Sequence, residues 1–296
     1  METNVKRHTD ASAAKTLRQV ITSLFLLALL ARTGAAYCAA PPERIVSLAP
    51  AVTEILFSAG LEKRVVGVTN VCDRPAAARK KTRVGAMANP SLEAIIALKP
   101  DLVILASKEN PKELAGRLAA LNVRTHVFKT TNLDELPSEL RAIGKITATE
   151  AALGLLAGKI EASLRHARLR FQQKAASTNH KTLFVVWPNP LVVAGAGTII
   201  DDAMTKIGLK NIASDSAAPY PRLSLEAIIG RRPDLIIVGA GHTDMKEGSR
   251  ALLKRLGMLE AVRKGRVCYL KDDALYRPGP RIPEGFMELE QCANML

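Results

Sequence analysis

The stretch "SLEAIIALKPDLVILAS" (Ser91–Ser107) returns 133 residues later as "SLEAIIGRRPDLIIVGA" (Ser224–Ala240), with ten of seventeen positions identical. Each copy opens on a serine suited to cap a helix, continues as a short apolar helix, and breaks at a proline. Each then ends in a buried strand, "DLVIL" or "DLIIVG".

The surroundings repeat as well. Before and after the first copy, "RIVSLA" (Arg44–Ala49) reads as a strand, and "AVTEILFSAGL" as a helix closed by Gly60. "RVVGVT" reads as a strand, "PKELAGRLAALN" as a helix and "RTHVF" as a strand. Around the second copy, "TLFVVW", "TIIDDAMTKIGL", "ALLKRLGML" and "RVCYL" give strand, helix, helix and strand. Alternating strands and helices predict an α/β fold with parallel sheets covered by helices. The unit that repeats is therefore a lobe, and two copies are too few for a solenoid.

Between the copies, Asp134 to Ala176 carries one proline, Pro137, and keeps helical periodicity through Leu136, Leu140, Ile143, Ile146, Leu153, Leu156, Ile160 and Leu164. This predicts one long backbone helix joining two lobes, with a ligand in the cleft outside the C-terminal ends of the strands. The expected divisions are a leader over 1–40, an N-terminal lobe over 41–133, the linking helix over 134–178 and a C-terminal lobe over 179–296.

The first forty residues differ from the rest. Basic residues (Lys6, Arg7, Lys15, Arg18) precede the apolar run "VITSLFLLALLA" and the small residues of "TGAAYCAA". That order predicts a secretory signal peptide cut near Ala36 to Ala40, the apolar run being too short to span a bilayer. Cys38 is a candidate for lipidation, although Tyr37 stands where a lipobox has a small residue. In an oxidising compartment, Cys268 and Cys292, both near the C-terminus, are the expected disulfide pair, leaving Cys72 over.

The formal charge is +14, and about +11 without the leader, which holds five basic and two acidic residues. The basic groups are scattered through amphipathic helices, aromatics make up 4% of the chain, and the leader predicts export, so nucleic acid is not the expected partner. An anionic membrane surface or ligand suits the balance better.

Ser91 and Ser224, as helix caps, put Glu93 and Glu226 at the second helical position, where a carboxylate suits the helix dipole. The doubling suggests more: two carboxylates on a pseudo-symmetric face match a partner built from two like subunits, each offering an arginine pocket.

"RIVSLAPAVTEILFSAG", "VVGVTNVCDRP", "NPSLEAIIALKPDLVI" and "RPGPRI" resemble the cobalamin-binding periplasmic protein family, over about residues 43 to 292. These are substrate-binding components of cobalamin and iron-chelate ABC importers. The resemblance implies the class III periplasmic binding fold: two Rossmann-like lobes joined by one long backbone helix, with small opening motions. It implies a metal-chelate ligand, cobalamin or a related corrinoid, with a ferric siderophore or haem as the alternative. It also implies docking of Glu93 and Glu226 on an ABC permease dimer with its ATPase. No resident cofactor and no catalysis are expected.

Where the family lines its cleft with aromatics, this chain has Val71, Met87 and Ala106, and keeps Tyr220. Trp187 is a candidate second aromatic, and Asp273 and Arg277 match polar positions that face ligand in the family. Arg281 is expected to be structural. The family's C-lobe disulfide pairs the Cys292 position with one held here by about Ile207, so that bridge does not carry over. The expected ligand-binding set is Met87, Trp187, Tyr220, His242, Asp273 and Arg277.

Other readings fit less well. "GAGT" at Gly195 sits between a strand and a helix like a dinucleotide loop, but Ile200 replaces its last glycine. His126, His166, His180 and His242 offer no pair at metal-ligand spacing. His242 ends "LIIVGAGH" and is a candidate for the cleft. No motif resembles a nucleophile elbow, a triad or an acid/base carboxylate pair.

Overall fold

Strand β1 (Ile45–Ser47) is buried at every position. It lies at the centre of a parallel sheet with β2 (Val65–Val68), β3 (Thr82–Arg83), β6 (Leu102–Ala106) and β7 (Thr125–Phe128), in the order β3-β2-β1-β6-β7. A two-stranded ribbon, β4 (Gly85–Ala86) and β5 (Asn89–Pro90), stands beside it. The second sheet runs β10-β8-β11-β12, from β8 (His180–Pro188), β10 (Leu209–Asn211), β11 (Leu235–Val238) and β12 (Val267–Tyr269), all parallel. Strand β9 (Leu191–Val193) folds back antiparallel on β8. These elements belong to a computed structural model that describes residues 40–173, 180–240 and 244–296.

The apolar strands are explained by where their two faces go. In β6, Leu102, Ile104 and Ala106 enter one core while Val103 and Leu105 enter another; in β11, Leu235 and Ile237 alternate with Ile236 and Val238 in the same way. A strand covered by helices on both sides needs apolar residues at every position. The first of these cores is shared: it runs from Ile45 and Leu102 in one sheet to Phe184 and Leu235 in the other. Residues Pro42–Leu296 accordingly form one compact unit.

Both repeated serines cap helices as expected. Ser91 Oγ accepts from the Ala94 N–H at 3.1 Å and starts α2 (Leu92–Ala97); Ser224 Oγ accepts from the Ala227 N–H at 3.2 Å and starts α7 (Leu225–Arg231). The first helix, α1 (Pro50–Ser58), ends just before Gly60, whose φ of +75° is the left-handed turn that glycine tolerates. The other helices of the first half and middle are α3 (Lys112–Ala120), α4 (Leu136–Thr147) and α5 (Glu150–Gln173). The second half adds α6 (Ile199–Lys206), α8 (Asp244–Arg255), α9 (Glu260–Arg263) and α10 (Ile282–Ala293).

The single linking helix expected over 134–178 is instead two helices, α4 and α5. Ala148 takes a left-handed conformation (φ 57°, ψ 44°), and the Thr147 hydroxyl turns back to donate to the Ile143 carbonyl at 2.7 Å. The helices then run antiparallel, clipped by Arg141 to Glu161 at 2.7 Å and Arg168 to Asp134 at 2.6 Å. The backbone helix proper is the 24-residue α5. It buries Leu153, Ala157, Ile160, Leu164 and Ala167 in the shared core, a stripe spaced alternately four and three residues apart.

Cys268 and Cys292 are bridged, tying β12 to α10, and Cys72 is a buried free thiol. Among the described residues no helix is long and apolar enough to cross a membrane. The leader's apolar run, Cys38 and His242 lie outside the described residues.

Candidate functional site

A cavity of about 330 Å³ opens beyond the C-terminal ends of the parallel strands. The first half contributes Ala51, Met87, Ala106 to Glu109, Phe128 and Thr130; the second contributes Gly197 to Ile199, Pro219, Tyr220, Leu275, Tyr276 and Pro278. The site is thus built from both repeats, where parallel α/β sheets bind ligands.

Its walls are fixed by backbone bonds that reach far along the chain. Asn110 Oδ1 accepts from the Ala106 N–H at 2.7 Å, while its amide donates to the carbonyls of Leu48 at 3.0 Å and Met87 at 2.9 Å. One buried side chain therefore sets the loop after β6 and the position of Met87. The "GAGT" segment does the same opposite. Gly195 N–H donates to the Pro219 carbonyl at 2.8 Å, and a Cβ on Gly195 would lie 2.7 Å from the Ala218 carbonyl oxygen. Its glycine serves close packing of the segment that carries Tyr220. Gly197, at φ +72°, offers its carbonyl to Lys108 Nζ at 3.0 Å, a bond between the two halves.

Three polar residues on the cavity wall carry shifted titrations. Burial pushes the Glu109 carboxyl up, against the pull of Arg277. Burial also pushes the Tyr276 phenol up, helped by Tyr220 and Asp273. Tyr220, 48% exposed at the rim, is raised by desolvation and by the Glu109 charge. Glu109 Oε2 and the Tyr276 hydroxyl are both buried with no hydrogen-bond partner among the described residues. Such groups cost about 1–3 kcal/mol each. The Tyr276 ring stands edge-on to Phe184 at 6.0 Å, and its hydroxyl comes so near Gly239 that a Cβ there would lie 1.7 Å away.

Behind this wall, an ion-pair network ties the halves together. Arg281 clamps Glu54, Nε to Oε2 and Nη2 to Oε1, both at 2.7 Å, and also bonds Asp272 and Asp273. Arg277 reaches Asp73 at 2.6 Å, Asp273 at 2.9 Å and Glu54 at 3.4 Å; Arg74 lies 3.2 Å from Asp272. Burial opposes the charge on Asp73 and Asp273, yet the surrounding arginines hold both carboxyls below their ordinary value.

The expected ligand set is therefore divided. Met87 and Tyr220 line the cavity. Asp273 and Arg277 flank its wall but do not line it, their side chains being engaged in the network. Trp187 is not brought to the cavity: partly buried, it packs against the core on the other face of the second sheet and donates to the Asn189 carbonyl at 2.8 Å. Its place on β8 explains this, since Phe184 faces the shared core and the odd-numbered neighbours Leu183 and Val185 face the other. Glu109, Tyr276 and Lys108 line the cavity without belonging to the expected set. Tyr276 lies within "DDALYRPGPRI" and Glu109 just after the first repeat, but nothing local in either stretch signals their burial.

Glu93 and Glu226 are both exposed. Each carboxyl is held below its ordinary value by its own helix-end N–H and then by its capping serine, Ser91 or Ser224. Among the described residues no group of three or more His, Cys, Asp or Glu is placed to hold a metal ion.

Comparison with known proteins matches this architecture. The chain is 28% identical over 258 residues to the vitamin B12-binding protein of Photorhabdus laumondii, covering 87% of this chain and 89% of that protein. The vitamin B12-binding protein of Pectobacterium atrosepticum is likewise 28% identical, over 257 residues, 84% of this chain and 89% of the relative. Among solved structures, the periplasmic vitamin B12 binding protein BtuF of Vibrio cholerae superposes with a TM-score of 0.73 at 28% identity, covering 86% of this chain and 96% of the other. The periplasmic heme-binding protein RhuT of Roseiflexus sp. RS-1 gives 0.74 at 28%, covering 84% and 97%. The sequence model for periplasmic binding proteins matches residues 45–274, from the first strand to the loop beside the cavity. The chain belongs to the periplasmic binding protein family, a family of binding proteins rather than enzymes.

Proposed function

We propose that this protein is the extracytoplasmic substrate-binding component of an ABC importer, capturing cobalamin or a related corrinoid between its two halves. The observation that carries this reading is a cavity lined by both repeats at the strand ends, in a chain similar along most of its length to vitamin B12-binding proteins. A signal peptide over 1–40 accounts for export, and Cys38 is a candidate for a lipid anchor. The lobes correspond to 41–133 and 179–296. A corrinoid is bulkier than 330 Å³, so its entry requires the halves to part and the Lys108–Gly197 bond to break. Met87 and Tyr220 contact the ligand directly. Asp273 and Arg277 do so once the network rearranges, and His242 follows the strand that leads to the cleft.

Glu93 and Glu226 dock on arginine pockets of the two permease subunits, and the partner ATPase supplies the energy of transport. The alternative ligand is haem or a ferric siderophore, favoured by the equally close likeness to a heme-binding protein and by the basic charge. Calorimetric titration of the purified protein with cyanocobalamin, hemin and a ferric siderophore separates the readings: one-to-one binding of the corrinoid is expected, and binding of an iron chelate alone would select the alternative.

A further inference from the structure

Two buried polar atoms on residues that line the cavity have no partner among the described residues, and they come from opposite halves. Glu109 Oε2 lies on the loop after β6, and the Tyr276 hydroxyl on the loop after β12. Arg277, the cation that acts on Glu109, spends its guanidinium on Asp73, Glu54 and Asp273. Lys108, next in sequence, is bonded to the Gly197 carbonyl. The Tyr276 ring is held by Phe184 and by its seat against Gly239. A native fold rarely leaves two such buried atoms unmatched on the walls of one site unless a ligand, water or ion completes them.

A carboxylate only accepts hydrogen bonds, whereas a phenol both donates and accepts. We infer that Glu109 and Tyr276 form a two-sided recognition pair for the edge of the ligand, and that this edge carries neutral hydrogen-bond donors, such as carboxamide NH₂ groups, rather than carboxylates. An amide donates its N–H to Glu109 and offers its carbonyl to the Tyr276 hydroxyl. A carboxylate at the same place meets a like charge in a desolvated cleft and is rejected, the discrimination by repulsion that specific sites use. The inference rests on the reading of this cleft as the ligand site. It deepens that reading, because a corrinoid carries carboxamides around its ring while haem carries two propionates.

The test is calorimetric titration of wild-type protein, Glu109→Gln and Tyr276→Phe, with thermal melts confirming that each variant is folded. The probes are cyanocobalamin, its monocarboxylic acids (one peripheral amide hydrolysed), hemin and hemin dimethyl ester. Wild type is expected to prefer cyanocobalamin to the monocarboxylic acid hydrolysed at the contacted edge by at least tenfold. Glu109→Gln should reduce that preference to about threefold or less, and Tyr276→Phe should weaken cyanocobalamin about tenfold. If only the haem probes bind, the ester should be preferred to hemin in wild type and the preference lost in Glu109→Gln. Binding with no such discrimination, or with discrimination unchanged in Glu109→Gln, overturns the recognition pair and leaves the function intact. Failure of wild type to bind any of the four overturns both.

Discussion

Arg281 of the second half holds Glu54 of the first through two bonds of 2.7 Å, with Glu54 only 6% exposed. The pair crosses 227 residues of sequence. It belongs to a network of four carboxylates (Glu54, Asp73, Asp272, Asp273) and three guanidinium groups (Arg74, Arg277, Arg281) behind the cavity wall. Removing one member of such a buried pair leaves the other charged and desolvated. Glu54→Ala is therefore expected to destabilise the protein by about 2–4 kcal/mol, a little less than for a fully buried pair. Denaturant unfolding measures it, and a loss under about 0.5 kcal/mol would show the network to be dispensable.

Glu109 makes the opposite prediction. Its folded carboxyl ionises above the ordinary 4.5, so the native state holds the proton more tightly than the unfolded chain does. Ionisation then costs the native state stability as pH rises through that window, and the cost persists at pH 7. Glu109→Gln removes the charge while keeping the shape. It should raise the Tm at pH 7 by about 2–4 °C, the shift that about 1 kcal/mol gives in a chain near this size. The gap between variant and wild type should close near pH 4. A Tm lowered at pH 7 would mean that the carboxylate is satisfied in the fold.

Gly239 sets Tyr276. A Cβ at this position would fall 1.7 Å from the phenolic oxygen and 3.2 Å from Phe184. Gly239→Ala must displace the tyrosine ring, at an overpacking cost of about 1–3 kcal/mol. Ligand affinity should drop at least tenfold, while Gly116→Ala in α3, where a Cβ meets nothing within 4 Å, should leave it unchanged. Equal affinities in the two variants would remove Tyr276 from the site.

The doubled glutamates separate capture from delivery. Glu93→Ala combined with Glu226→Ala is expected to impair uptake in cells while leaving ligand affinity within about twofold. Affinity that collapses along with uptake would move these residues from the docking surface to the pocket.

Much of this fold is readable in one sequence, because its cues are local. The serines at 91 and 224 announce helix starts, Gly60 announces a helix end, and the apolar run at 102–106 announces a strand covered on both faces. The break at Ala148 has no such cue: a residue that favours helix takes a left-handed conformation where no glycine or proline stands. Thr149 and Glu150, a cap type followed by a first-turn acid, were the available hint. The site is less legible still. Glu109, Tyr220 and Tyr276 meet only through the tertiary fold, and Trp187, an obvious aromatic candidate, lies on the wrong side of its sheet. The repeated strand–helix pattern located the cleft, but which side chains are spare within it depends on partners distant in sequence, as for Arg277 with Asp73.

The most direct test of the central claim is calorimetric titration of the purified protein with cyanocobalamin at neutral pH. Tight one-to-one binding, weakened by Tyr276→Phe, is expected. Absence of binding to cyanocobalamin, with one-to-one binding of hemin or a ferric siderophore, would contradict it and make this an iron-chelate carrier.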